Sequence, residues 1–219
     1  MKRRYKLAGA AAALLLISLK AFSLSGGPIS GQVIDTSTGK PVADAIVVAY
    51  WRGDVSKIVE SGTICLHVDT ARTGVDGKYQ IPGWSLPWSW RNLRVTTRVP
   101  TTKVYKTGYF RDSIQTEKPG ELVVRPITGT KAEQFESLIH APNCADGGES
   151  RKSLYQVYML IAQEAEALAE TREQTRGIEN IRRTAKESLV NTSKPTAVVG
   201  GRAENIDAND NYRVEDVMK

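Results

Sequence analysis

Short apolar runs set between glycine-bearing turns constrain this chain most. Successive side chains of a strand point to opposite faces, so a period of two sorts residues into an inner and an outer set. Ile29, Gly31 and Val33 alternate with Ser30 and Gln32, and residues 35–41 read as a turn. Ala45-Ile46-Val47-Val48-Ala49-Tyr50-Trp51 does not alternate. It is short, β-branched and aromatic, the pattern of a buried strand. From Thr63 to Thr73, Ile64, Leu66 and Val68 alternate with Cys65, His67 and Asp69. Asp76-Gly77 then precedes Lys78-Tyr79-Gln80-Ile81-Pro82, a pair that favours positive φ and predicts a hairpin. Residues 93–99 and 103–105 suggest a further strand or a bent pair, and residues 121–127 the last. About seven short strands separated by turn signals predict a mainly β fold of two packed sheets.

The pattern changes after Thr128. Thr130-Lys131-Ala132-Glu133 has the form of a capping box, followed by Phe135, Leu138 and Ile139 at helical spacing. Pro142 ends that helix. Ser150 is placed to cap a longer one carrying Leu154, Val157, Tyr158, Ile161, Ala165 and Leu168 on one face. Gly177 punctuates it, and Ile178, Ile181, Ala185 and Leu189 predict another. The expected organisation is a leader over 1–25, a β-domain over 26–128, a helical extension over 129–190 and a disordered tail over 191–219.

The leader reading rests on Lys2, Arg3, Arg4 and Lys6, followed by an apolar and small-residue run, Leu7 to Leu19, that Lys20 ends. A bilayer span needs about 20 apolar residues, and this run is shorter. Ala21, Ser23 and Ser25 offer small residues to a peptidase, so a secretory leader is expected. An uncleaved anchor is the alternative. The leader also carries most of the excess charge. The chain has 30 Lys and Arg against 24 Asp and Glu. Five of those bases lie in residues 1–25, which hold no acid, so the remainder is close to neutral. That balance gives no nucleic-acid footprint. A periplasmic or secreted protein with no membrane contact after leader removal is the expectation.

Three segments resemble a known family. Gly31-Gln32-Val33-Ile34-Asp35 with Thr38-Gly39-Lys40-Pro41-Val42 and Ala45-Ile46-Val47 is similar to the opening of carboxypeptidase regulatory-like domains. Residues 73–82, Thr-Gly-Val-Asp-Gly-Lys-Tyr-Gln-Ile-Pro, resemble their second signature, and Lys106-Thr107-Gly108-Tyr109 their late turn. The resemblance covers roughly residues 28–127. It implies a transthyretin-like, immunoglobulin-like sandwich of seven strands. In the peptidases that name the family the module stands beside the enzyme and holds no catalytic residue, so the resemblance transfers none. The chain departs from shorter members by a segment over 54–61 and a tryptophan-rich one over 84–90.

Cys65 and Cys144 are an even pair, and outside the cytoplasm such a pair favours a disulfide. Their separation of 79 residues gives about 4–5 kcal/mol by chain entropy. The alternative is a metal site. Cys65-x-His67 would put both side chains on one strand face, and His140-x-x-x-Cys144 would return to complete a Cys2His2 set. Trp84, Trp88 and Trp90 would form a carbohydrate-stacking platform if exposed; the plainer reading is that Trp84 and Trp88 cover an open end of the sheets. No Gly-x-Ser-x-Gly elbow accompanies either histidine, and Glu133 with Glu136 reads as a solvated helix face. The expected function is therefore non-catalytic and cofactor-free: an exported binding or structural module with an envelope protein as partner. Carbohydrate binding and metal binding stand as alternatives.

Overall fold

A computed structural model describes residues 24–56, 61–86, 95–110, 114–115, 118–144 and 148–190. Residues 1–23 of the expected leader, Trp88, Trp90 and the expected tail over 191–219 lie outside the described residues. The chain is mainly β: the described residues form ten strands arranged in three sheets, followed by helices. The strands are β1 (Ser25–Gly26), β2 (Ile29–Asp35), β3 (Ile46–Ser56), β4 (Ser61–Arg72), β5 (Lys78–Ile81), β6 (Trp84–Ser85), β7 (Val95–Thr97), β8 (Thr101–Tyr105), β9 (Ile114–Gln115) and β10 (Glu121–Val124). The count among described residues thus exceeds the seven expected. The three surplus strands are the two-residue β1, β6 and β9, and the bent pair is present as β7 and β8. These two share β3 as partner, β7 at Gly53–Val55 and β8 at Ile46–Tyr50.

One sheet has the order β5-β2-β10-β9, with β2 and β10 parallel. The second places β3 between β4 on one side and β7 and β8 on the other. The two share a core of Val33, Val47, Ala49, Trp51, Tyr79, Ile81, Val104, Leu122 and Val124. The opposite face of β3 carries Ile46, Val48 and Tyr50 into a second core, made with the helices. β3 is therefore buried on both faces. That accounts for its unbroken apolar run, because neither set of side chains meets water.

The helices form the third layer: α1 (Lys131–Leu138), a 3-10 segment (Gly148–Leu154), α2 (Tyr155–Glu166) and α3 (Arg172–Val190). The expected capping box at Thr130 and Glu133 is present. Two other expectations fail. Ser150 does not cap the long helix; its hydroxyl accepts the Val68 amide of β4 at 3.1 Å. Ser153 Oγ donates to the Val68 carbonyl at 3.2 Å, so the two serines occupy polar backbone groups that an edge strand would otherwise expose. Gly177 does not break the helix either, but lies buried within α3. The break falls at Thr171, whose hydroxyl accepts the Gln174 amide while the Gln174 side chain accepts the amides of Glu170 and Thr171. No helix among the described residues is long and apolar enough to cross a membrane.

The expected hairpin at Asp76-Gly77 is a turn of another kind. β4 belongs to one sheet and β5 to the other, so the turn carries the chain across the core. Gly77 has φ 72°, and its amide donates to Gly74 O at 2.9 Å. Buried Thr73 holds the incoming end: its hydroxyl accepts the Ala45 amide and donates to Val42 O. The Gly77 carbonyl accepts the Val33 amide and ties the outgoing end to β2.

Candidate functional site

The four residues of the proposed metal set do not converge. β4 carries a β-bulge opposite the Trp51–Arg52 step: Trp51 faces His67 and Arg52 faces Cys65, leaving Leu66 as the extra residue. A bulge breaks the period of two. Cys65 consequently shares a face with Val68 in the helix-side core, while His67 turns to the opposite face beside Trp51. The expectation that Cys65 and His67 lie on one face is overturned. Cys65 is bonded to Cys144, with Cα atoms 5.3 Å apart, as the even cysteine count implied. Both thiolates are consumed by that bond, and a disulfide sulfur is no substitute for a thiolate ligand. Among the described residues no three His, Cys, Asp or Glu side chains gather as a metal-holding group.

The disulfide joins the central sheet to the segment between α1 and the 3-10 turn. Both cysteines are buried, at 8% and 2% exposure. Nearby, Tyr158 donates to Pro142 O at 2.7 Å, and burial pushes its phenol up to about 12. The staple fixes the short connection, residues 139–144, to the sheet, and the hydrogen bond fixes it to α2.

On the other face of β4, His67 meets two tryptophans. Its ring stacks on Trp84 with centroids 5.1 Å apart and planes 17° apart. Trp51 lies edge-on to Trp84 at 6.1 Å and tilted to His67 at 5.4 Å. Burial pushes the His67 imidazole below its ordinary value, with Asp69 opposing. Trp84 comes into this cluster because β6 pairs with β1, setting Gly26 opposite Trp84. A Cβ on Gly26 would collide with both indole nitrogens. Of the three tryptophans, Trp84 is thus placed, and it packs on His67 and Trp51 at the end of the sheet core. The His67 contact is not legible from residue spacing, since the bulge that creates it has no residue signature.

A third constellation joins two of the family-like segments. Tyr109 donates to Asp35 Oδ2 at 2.8 Å, and Asp35 Oδ1 accepts the amides of Ser37 and Thr38. The Tyr109 hydroxyl and these amides hold the Asp35 carboxyl below its ordinary value, and the same bond raises the Tyr109 phenol. Its role is to lock the β2 turn to the segment that follows β8.

Comparison with known proteins yields no family model and no curated protein that matches this chain. Among solved structures it is similar to the pilus backbone RrgB of Streptococcus pneumoniae, at 12% identity over 76% of this chain and 45% of that one. The TM-score is 0.16, too low to carry an argument about fold or function. The chain spans under half the length of that protein.

Proposed function

We propose that this protein is an exported, non-catalytic module of the cell envelope: a carboxypeptidase regulatory-like domain of transthyretin-like type that binds or braces an envelope protein. The observation that carries the reading is the buried Cys65–Cys144 bond between sheet and helices. Structural disulfides belong to oxidising compartments, and the residues before Leu24 have the form of a leader. The family reading gains support from the turns. Gly39, Gly77 and Gly108, one from each matching segment, all adopt positive φ, where other residues are strained. The non-catalytic reading draws on the packing of His67, which is stacked against Trp84 rather than set beside a nucleophile.

The test is to produce the chain with its own leader in a bacterium, fractionate the cells and alkylate free thiols before digestion. Recovery outside the cytoplasm with Cys65 and Cys144 linked is the expected result. Cytosolic protein with two alkylated cysteines refutes the export reading. A photo-crosslinker at exposed Val75 reads the binding role in the same cells, and a single discrete envelope adduct is expected. Adducts no different from those of a scrambled surface position refute that role.

A further inference from the structure

We propose that a leader peptidase cuts this chain between Ser23 and Leu24, so that Leu24 is the first residue of the mature protein. The inference rests on the export reading above and names the processed bond. Beyond Lys20 three bonds satisfy the small-x-small pattern that such peptidases require, and the one after Ser25-Gly26-Gly27 is set aside because Pro28 follows it and makes that bond a tertiary amide. Ala21-Phe22-Ser23 precedes Leu24, and Ser23-Leu24-Ser25 precedes Gly26. The motif alone does not choose between them.

The fold does, because it uses the residues on which the two cuts differ. Leu24 is 9% exposed and counts among the core side chains. Its carbonyl accepts the Leu86 amide at 2.8 Å. Ser25 pairs with Ser85 and Gly26 with Trp84, forming the ribbon that brings Trp84 onto His67 and Trp51. A cut after Ser25 would remove Leu24 from the core, strip the Leu86 amide of its acceptor and leave Gly26 alone of β1. A cut after Ser23 leaves every one of these contacts intact. The reaction is hydrolysis: water adds across the Ser23–Leu24 amide, the leader departs with a Ser23 carboxylate and the mature chain keeps a Leu24 amine. Cleavage of the emerging chain precedes formation of β1.

The experiment is intact-mass measurement and N-terminal sequencing of protein recovered from the periplasm or medium of a bacterium making the full chain. The expected N-terminus is Leu24-Ser25-Gly26-Gly27. Two variants sharpen it. Ala21→Tyr puts a bulky residue at the small position that only the proposed cut uses, and uncut precursor should accumulate at least tenfold. Ser25→Tyr, at an exposed strand position, should leave the cut unchanged, whereas it would block a cut after residue 25. An exported chain beginning at Gly26 overturns this inference and leaves the export reading standing. An uncut chain in the membrane fraction likewise overturns the inference alone. An uncut chain in the cytosol overturns both.

Discussion

Removal of everything after Thr128 should abolish cooperative folding of the β-domain, although the family resemblance ends at that point. The central sheet presents Ile46, Val48, Tyr50, Val68 and Tyr105 to the helices, and none is more than 3% exposed. Full burial of a Val or Ile side chain contributes roughly 1.5–3 kcal/mol, so Ile46, Val48 and Val68 alone account for about 5–9 kcal/mol. Tyr50 and Tyr105 add to this. The truncation also removes Cys144 and with it the staple. Whole domains are stable by only about 5–15 kcal/mol, so the remaining sheets would stand at or below zero. The assay is urea denaturation of residues 24–190 against 24–128 carrying Cys65→Ser. Trp51, 4% exposed between the two sheets, serves as fluorescent reporter. The longer chain should unfold in one transition and the shorter should show none. A cooperative transition in 24–128 within about 2 kcal/mol of the longer chain would refute the three-layer reasoning, since each of the named side chains contributes about that much.

Three further outcomes follow from particular residues. The double variant Cys65→Ser/Cys144→Ser should lose about 4.5 kcal/mol, the chain-entropy value for a loop of this span; a loss under 1 kcal/mol by urea titration would show that the bond closes no loop the unfolded chain otherwise explores. Gly31→Ala should destabilise by about 3 kcal/mol, because its Cβ would enter the Gly120 carbonyl and the Tyr79 hydroxyl, and an unchanged melting temperature would contradict that close approach. His67 has a folded value below its unfolded one. The unfolded chain therefore binds its proton first, and stability should fall as pH drops below about 6.5. In His67→Phe that loss should shrink; a stability–pH curve parallel to the parent's from pH 7 to 5 would assign the loss elsewhere.

Much of the β-domain was legible because its signals are local. The run from Ala45 to Trp51 announces a strand with no wet face, and the structure supplies a sheet on one side and helices on the other. Thr130 and Glu133 announced the start of α1. Thr171 and Gln174 carry the same form of signal, Thr-x-x-Gln, and would have placed the start of α3 correctly, whereas Gly177 drew attention to a residue the helix simply buries. Ser150 is a good N-cap residue by type, but the open backbone of β4 at Val68 claims its hydroxyl. That competition depends on tertiary placement, which local spacing does not contain. The same holds at Asp76-Gly77. The residues specify a tight turn, and only the partners of Thr73 and Gly77 decide that the two flanking strands part into separate sheets.

The bulge at Leu66 ties these observations together. In a regular strand Cys65 and His67 would share a face, and one of two things would fail. If both faced the sheet core, Cys65 would point at the Trp51 side and away from Cys144, which sits in the helical layer. If both faced the helices, His67 would leave Trp84, and β6 with its partner β1 would lose the ring they pack against. One extra residue lets a single strand serve both layers. The covalent link therefore lies on one face of β4 and the aromatic contact that secures the first residues of the fold on the other. The first residues of the fold and the connection at 139–144 are thus anchored through the same three positions, 65 to 67, and a change of register there would disturb both at once.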